Sequence, residues 1–436
     1  MSRPATGAGT LRRWRLAAWI SLAALTASCE PSAAGSDNSS KPLVIRAGGT
    51  YTGSYRSTDS GVPCIRIETT EPVTLRGCTL MGAGDLIRAT RGGATLTVVN
   101  CRGYGLPQST DQTRHGHFLE VNSGRSVRVE HNYFEHTIGI GIYQWSGDGT
   151  PTQTLTVRYN SARNIDGRYR DGGGTKANFL GLNALPGVAH IKIAWNQVIN
   201  EPNQSLVEDN INLYNSGGTR TSPARIHDNY IQGAYPYPAT GPDFTGSGIT
   251  LDGSGRAALS ATAYVDGARN QVVSACIGMN IAAGHDNHFH DNRLVTCGLL
   301  PDGTKLAANY AGAGLWNAYR QPKDVFFNND FTNNTIGFYF AGGTTPYPNR
   351  QDTRPEACSA CSSTLHLPNP ITLQTEQAEW TRWQLKLRTH GLRTGPFPAL
   401  PARKNVLITA GATSHPTTGQ FAPAASGLIN YNILFD

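Results

Sequence analysis

Acid–base cleavage of a polymer needs titratable side chains beside hydrogen-bonding amides, and the stretch Glu208-Asp-Asn-Ile-Asn-Leu-Tyr214 offers both. Strand alternation sends the apolar Ile211 and Leu213 to one face and Glu208, Asn210, Asn212 and Tyr214 to the other. The same rule places Glu120, Tyr143, Asn183, Thr250, Asp252, Asn280, Trp316 and Tyr339 outward on neighbouring strands. Amides and carboxylates bond hydroxyls and aromatic faces stack on sugar rings, so a strip of this make-up suits a sugar polymer. The plainer alternative is a solvated sheet face that carries a few aromatics.

Three chemistries fit such a strip to different degrees. Hydrolysis asks for two carboxylates about 5 to 9.5 Å apart. Alternation turns Glu208 and Asp209 to opposite sides, and Glu208 and Asp252 fall too far apart along their strands, leaving Asp171 and Asp243 on loops. β-Elimination asks for one base and a neutralised substrate carboxylate. Lys176, after Arg168-Tyr-Arg-Asp-Gly-Gly-Gly-Thr175, is the candidate base, with Arg170 and Arg220 as carboxylate clamps. Glu208 with Asp209 would then form a Ca²⁺ site. The run His285-Asp-Asn-His-Phe-His-Asp291 has the residue types of a metal cluster, but His227-Asp-Asn229 recurs as His290-Asp-Asn292, so repetition explains much of it.

The elements that position these residues repeat at intervals of roughly twenty to forty residues. One phrase is a short alternating strand followed by Asn: Leu96–Asn100, Val127–Asn132, Leu155–Asn160, Ile191–Asn196 and Ala224–Asn229, then shorter copies ending at Asn270, Asn292 and Asn329. A Gly-rich phrase alternates with it, as in Gly139-Ile-Gly-Ile142, Gly248-Ile-Thr-Leu251, Gly278-Met-Asn-Ile281, Gly314-Leu-Trp316 and Gly337-Phe-Tyr-Phe340. Single coils of this kind cannot bury their apolar faces, whereas stacked coils share one core. Asn tolerates left-handed backbone at a turn and can bond to the Asn of the next coil. About nine or ten coils at roughly 4.8 Å each give a rod about 45 Å long.

These phrases, with an opening Val44-Ile-Arg-Ala-Gly-Gly-Thr-Tyr-Thr-Gly53, resemble the right-handed parallel β-helix superfamily of pectate-lyase-like proteins over residues 43–345. The resemblance implies an all-β solenoid. Its activity is open, because the superfamily spans lyases, hydrolases, epimerases and binding proteins. The motif of a particular enzyme family is not recognisable, and Arg114-His-Gly-His117 only superficially echoes the Gly-His-Gly of polygalacturonases.

Cys78 and Cys101, and Cys276 and Cys297, lie about one coil apart, as disulfides or as small buried hydrophobes, while Cys358-Ser-Ala-Cys361 suits a loop staple. Beyond the repeats, residues 346–436 form a closing region with an amphipathic helix from Glu376 to His390 beside the last coils and strand-like phrases over 405–436.

Lys+Arg 37 against Asp+Glu 30 leaves +7, spread without basic runs. That suits an acidic partner and argues against nucleic acid. Residues 1–28 carry Arg12, Arg13 and Arg15 before a short apolar run, which reads as an export signal ending at Cys29. Leu25-Thr-Ala-Ser-Cys29 resembles a lipoprotein signal, which implies lipidation at Cys29 as the membrane anchor; residues 29–42 then serve as a flexible tether. The expectation is a monomeric, exported β-helix protein at the cell envelope or secreted, acting as a lyase on acidic polysaccharide. The alternatives are a non-catalytic carbohydrate-binding or scaffold protein, and a hydrolase or epimerase.

Overall fold

The computed structural model describes residues 41–106, 116–168, 177–243, 246–339, 350–353 and 361–398. The chain is an all-β parallel β-helix in which strands pair only with their counterparts in the preceding and following coils, as the phrases suggest. Each coil supplies one strand to each of three parallel ladders, such as Asp209–Tyr214, Ala224–His227 and Tyr230–Ala234 in the seventh coil. Ten coils are complete, and Cys361–Ser362 with Leu365–His366 adds part of an eleventh.

The first ladder is built from the Gly-rich phrases. Ile87, Leu119, Ile140, Leu180, Ile211, Ile249, Met279 and Ala313 are direct partners in successive coils, all buried inside the helix. Burying each large aliphatic side chain stabilises the fold by about 1.5–3 kcal/mol, and no coil could do so alone. Gly337 belongs instead to Thr335–Phe338 of the third ladder.

At the corner between the second and third ladders, Asn132, Asn160, Asn196, Asn229, Asn270, Asn292 and Asn334 form a continuous buried amide ladder. Each Nδ2 donates to the next Oδ1 at 2.8–3.0 Å and to a backbone carbonyl. The left-handed residue is the one before each asparagine, from His131 to Asn333, with φ between 54° and 59°. The amide must point inward to bridge coils, so the strained turn falls one residue earlier than expected. Asn329 belongs to a different corner, where its Oδ1 accepts from the Asn287 N–H at 3.2 Å.

Cys101 takes the next place in the ladder and Cys78 the one beyond, both as buried thiols. The Cys78 N–H reaches Cys101 Sγ at 3.4 Å. Cys276 and Cys297 lie in different apolar clusters, so they do not form the second pair. Cys361 is disulfide-bonded, while Cys358 lies outside the described residues.

The helix runs Leu373–Thr389, capped by Thr372. Trp383 and Leu387 pack on Tyr230 and Val273, and Trp383 Nε1 donates to Gln197 Oε1 at 3.0 Å. It therefore covers the flank of the third ladder, where those apolar side chains face outward. The stretches 1–28 and 405–436, with Cys29, lie outside the described residues.

Candidate active site

Pleating sends alternate residues of the first ladder outward, and identical register stacks them into two rows along the helix axis. One row reads Arg88, Glu120, Gly141, Gly181, Asn212, Thr250, Asn280 and Gly314. Beside it stand Asn122, Tyr143, Asn183, Tyr214 and Asp252. Glu120, Tyr143, Asn183, Asn212, Tyr214, Asp252 and Asn280 thus share one face.

The face deepens at the seventh to tenth coils into a cavity of about 460 Å³. Glu208, Asp209, Ser247, Thr250, Asp252, Asn280, Trp316 and Tyr319 supply its functional lining. Alternation fails at the start of the seventh-coil strand. Asn210 turns inward and accepts from Asn200 Nδ2 at 2.8 Å, while Asp209 joins Asn212 on the outer side. Glu208 and Asp209 therefore line the same cavity, contrary to the simple parity of a strand.

Asp209 is buried and held by three donors: the Ser247 hydroxyl, the Thr250 hydroxyl at 2.8 Å and Asn212 Nδ2 at 2.8 Å. Burial pushes its carboxyl up to about 6; the three donors restrain the rise and the Asp252 charge adds to it. Asn212 Nδ2 also lies 3.5 Å from Asp252 Oδ2, so one amide nitrogen touches both carboxylates. Their oxygens consequently lie no more than about 6 Å apart, short of the ~6.5–9.5 Å of inverting glycosidases and compatible with the closer pair of retaining ones.

Aromatic rings wall this pair. Tyr319 hydrogen-bonds Asp252 and stands edge-on to Tyr214 at 6.3 Å. Burial, followed by the bond to Asp252, raises the Tyr319 phenol. Trp316 lies over Gly314, where a Cβ would come 2.4 Å from the ring and force it out. Asn280 is buried in the lining, and its Oδ1 has no hydrogen-bond partner among the described residues. A buried acceptor left alone costs about 1–3 kcal/mol, so a donor from a bound ligand answers a real demand.

Of the basic candidates, Arg220 alone lies among the described residues. Arg220 stacks over Tyr264 at 6.0 Å and helps lower the Asp286 carboxyl, and none of these three lines the cavity. Lys176 and Arg170, with Asp171, lie outside the described residues. Tyr339 packs near Val295, Cys297 and Ile371 rather than on the strip, because its strand is in the third ladder. The Asp209 oxygens already accept from hydroxyl and amide hydrogens, whereas a Ca²⁺ ion takes six to eight oxygen ligands.

His288 and His290 face Asp330 and Asp266 respectively, and His290 bonds carboxylates through both ring nitrogens. That leaves His290 no lone pair for a metal. Ser247 and Tyr319 had no motif to announce them.

No family model matches the chain, and no curated protein matches it. A solved structure, described as a mannuronic acid specific polysaccharide family 6 lyase enzyme from human gut microbiota, is similar over 80% of this chain and 91% of that one. The identity is 12% and the TM-score 0.37, and no residue role is transferred from it.

Proposed function

We propose that the protein cleaves a polysaccharide laid along the first ladder, breaking one glycosidic bond at Asp209, Asn212 and Asp252. The observation that carries this reading is the shared amide: two carboxylates held against Asn212, the buried one raised to about 6. Environments that push two carboxyl groups apart in acidity are how acid and base roles are divided. Asp209 keeps its proton nearer neutrality and gives it to the leaving oxygen. Asp252 attacks the sugar carbon as that bond breaks, and water, giving a proton back to Asp209, then releases the sugar from Asp252, so the balance is one water consumed and one new reducing end. Asn280 and Trp316 would hold the sugar through a hydroxyl and a ring face.

β-Elimination on an acidic polysaccharide is the second reading. The described lining holds three carboxylates and neither Lys nor Arg; for this reading Lys176, outside the described residues, remains the proposed base. Export with a lipid anchor at Cys29 accords with a substrate at the cell envelope. The test is incubation with uncharged and uronic-acid polymers, measuring new reducing ends together with the ultraviolet absorbance of unsaturated sugars. Ends without absorbance support hydrolysis; both together support elimination.

A further inference from the structure

A second cluster of polar, charged and aromatic side chains occupies the same row, three coils before Asn212. Arg88 and Glu120 are register partners, with Arg88 Nε 3.1 Å from Glu120 Oε2 and 3.6 Å from Asp85 Oδ2. Asp85 Oδ1 accepts from the His117 N–H at 2.8 Å and faces His117 Nδ1 at 3.3 Å. Burial alone would raise the Asp85 carboxyl, but the bonds and charge of His117 outweigh it and hold it well below the usual range. The ligand atoms of Asp85, His117 and Glu120 lie within 4.8 Å of one another, and the Arg88 guanidinium already brings positive charge beside them.

Two glycines shape the outer face beside this cluster. Glu120 is followed by Gly141 and Gly181 before Asn212, so two coils of the row carry no side chain. A Cβ at Gly141 would come 2.9 Å from His117 Nε2 and 3.1 Å from the Tyr143 ring, so glycine lets both rings lean over the strip. The rings meet edge-on at 6.4 Å. Tyr143 and Asn183 flank this floor in the neighbouring row. At one coil per ~4.8 Å, the cluster stands about 14 Å from Asn212.

We infer that Arg88, Glu120 and Tyr143, backed by the buried His117, form a distal carbohydrate subsite, joined to the cavity by the glycine row, so that the protein acts on long chains in preference to short oligosaccharides. The inference rests on the proposed function and names the substrate length for that site. A single sugar cannot reach both ends, and a chain of several units lying along the axis touches both. The fork of Arg88 and the carboxylate of Glu120 bond vicinal hydroxyls, and the Tyr143 face stacks on a ring.

The test uses the full chain carrying Asp252→Asn, which separates binding from cleavage. Migration is followed in gels containing polygalacturonate, alginate or arabinoxylan, and a disaccharide and a hexasaccharide of whichever polymer retards the protein compete against it. The expected result is retardation by one polymer and competition at least tenfold stronger by the hexasaccharide. Adding Tyr143→Ala or Arg88→Gln should weaken retardation about tenfold and remove the length preference, with melting temperatures unchanged. Equal competition by the two oligosaccharides, or retardation unaltered in both added variants, overturns the distal subsite. Retardation with the expected length dependence, but no cleavage by the unmodified protein, removes the proposed function and leaves the subsite standing.

Discussion

Asn212 Nδ2 stands 2.8 Å from Asp209 Oδ2 and 3.5 Å from Asp252 Oδ2, so a single amide spans carboxylates from successive coils. Register sets up the contact, since Asn212 pairs with Thr250 and Tyr214 with Asp252. Asn212→Ala removes the bridge without adding bulk. We expect kcat/KM to fall roughly 10²-fold, the scale of losing one preorganised donor, with the melting temperature little changed.

The acidity of Asp209 predicts a pH profile. With its folded carboxyl at about 6, the acid form is lost as pH rises through that value, and the cleavage rate should fall with it. Asp209→Asn should abolish most activity and erase that limb. A rate that keeps climbing past neutral pH would move the acid role elsewhere.

Glu376 gives a stability counterpart away from the site. It is buried, accepts from the Cys297 N–H at 2.7 Å, and burial raises it to about 7. Between the ordinary glutamate value and about 7 the folded chain binds the proton more tightly than the unfolded chain. Stability from this group is therefore present at low pH and lost as pH rises through about 7. Glu376→Gln keeps an acceptor for Cys297 and should be the more stable form at pH 8 by about 3 kcal/mol at most, converging with the wild type near pH 4. Urea melts at the two pH values measure the difference.

The amide ladder should behave as a chain with costly interior links. Asn196 donates to Asn229 Oδ1 and the Val157 carbonyl and accepts from Asn160, all buried. Asn196→Ala breaks four buried hydrogen bonds, the Asn160 N–H to Asn196 Oδ1 among them, and should cost about 3–5 kcal/mol in urea unfolding. An exposed control such as Asn183→Ala should stay within about 0.5 kcal/mol.

The coil pattern was legible in the sequence because period-2 strands and a recurring asparagine leave little room for another fold. Alternation alone was enough to gather Glu120, Tyr143, Asn183, Asn212, Tyr214, Asp252 and Asn280 on one face. It failed where strands begin. At Asp209 and Asn210 the chain is still turning a corner, so parity reversed and the carboxylate pair was hidden. The double asparagines at 328–329 and 333–334 offered two corners, and only hydrogen bonding between coils decides that Asn334 ends the ladder. Tyr319 arrives from a loop after the Ala311–Leu315 strand, and loops carry no period to read. Arg220 was chosen for its charge, and its partners proved to be Tyr264 and Asp286 on another face.

The most direct measurement is release of new reducing ends from a panel of neutral and uronic-acid polysaccharides by the wild type and by Asp252→Asn. The predicted result is release from one polymer by the wild type and a loss of at least about 10²-fold in the variant, with unchanged melting. Undiminished release by Asp252→Asn, or no release from any polymer that the protein binds, would contradict a catalytic pair at Asp209 and Asp252.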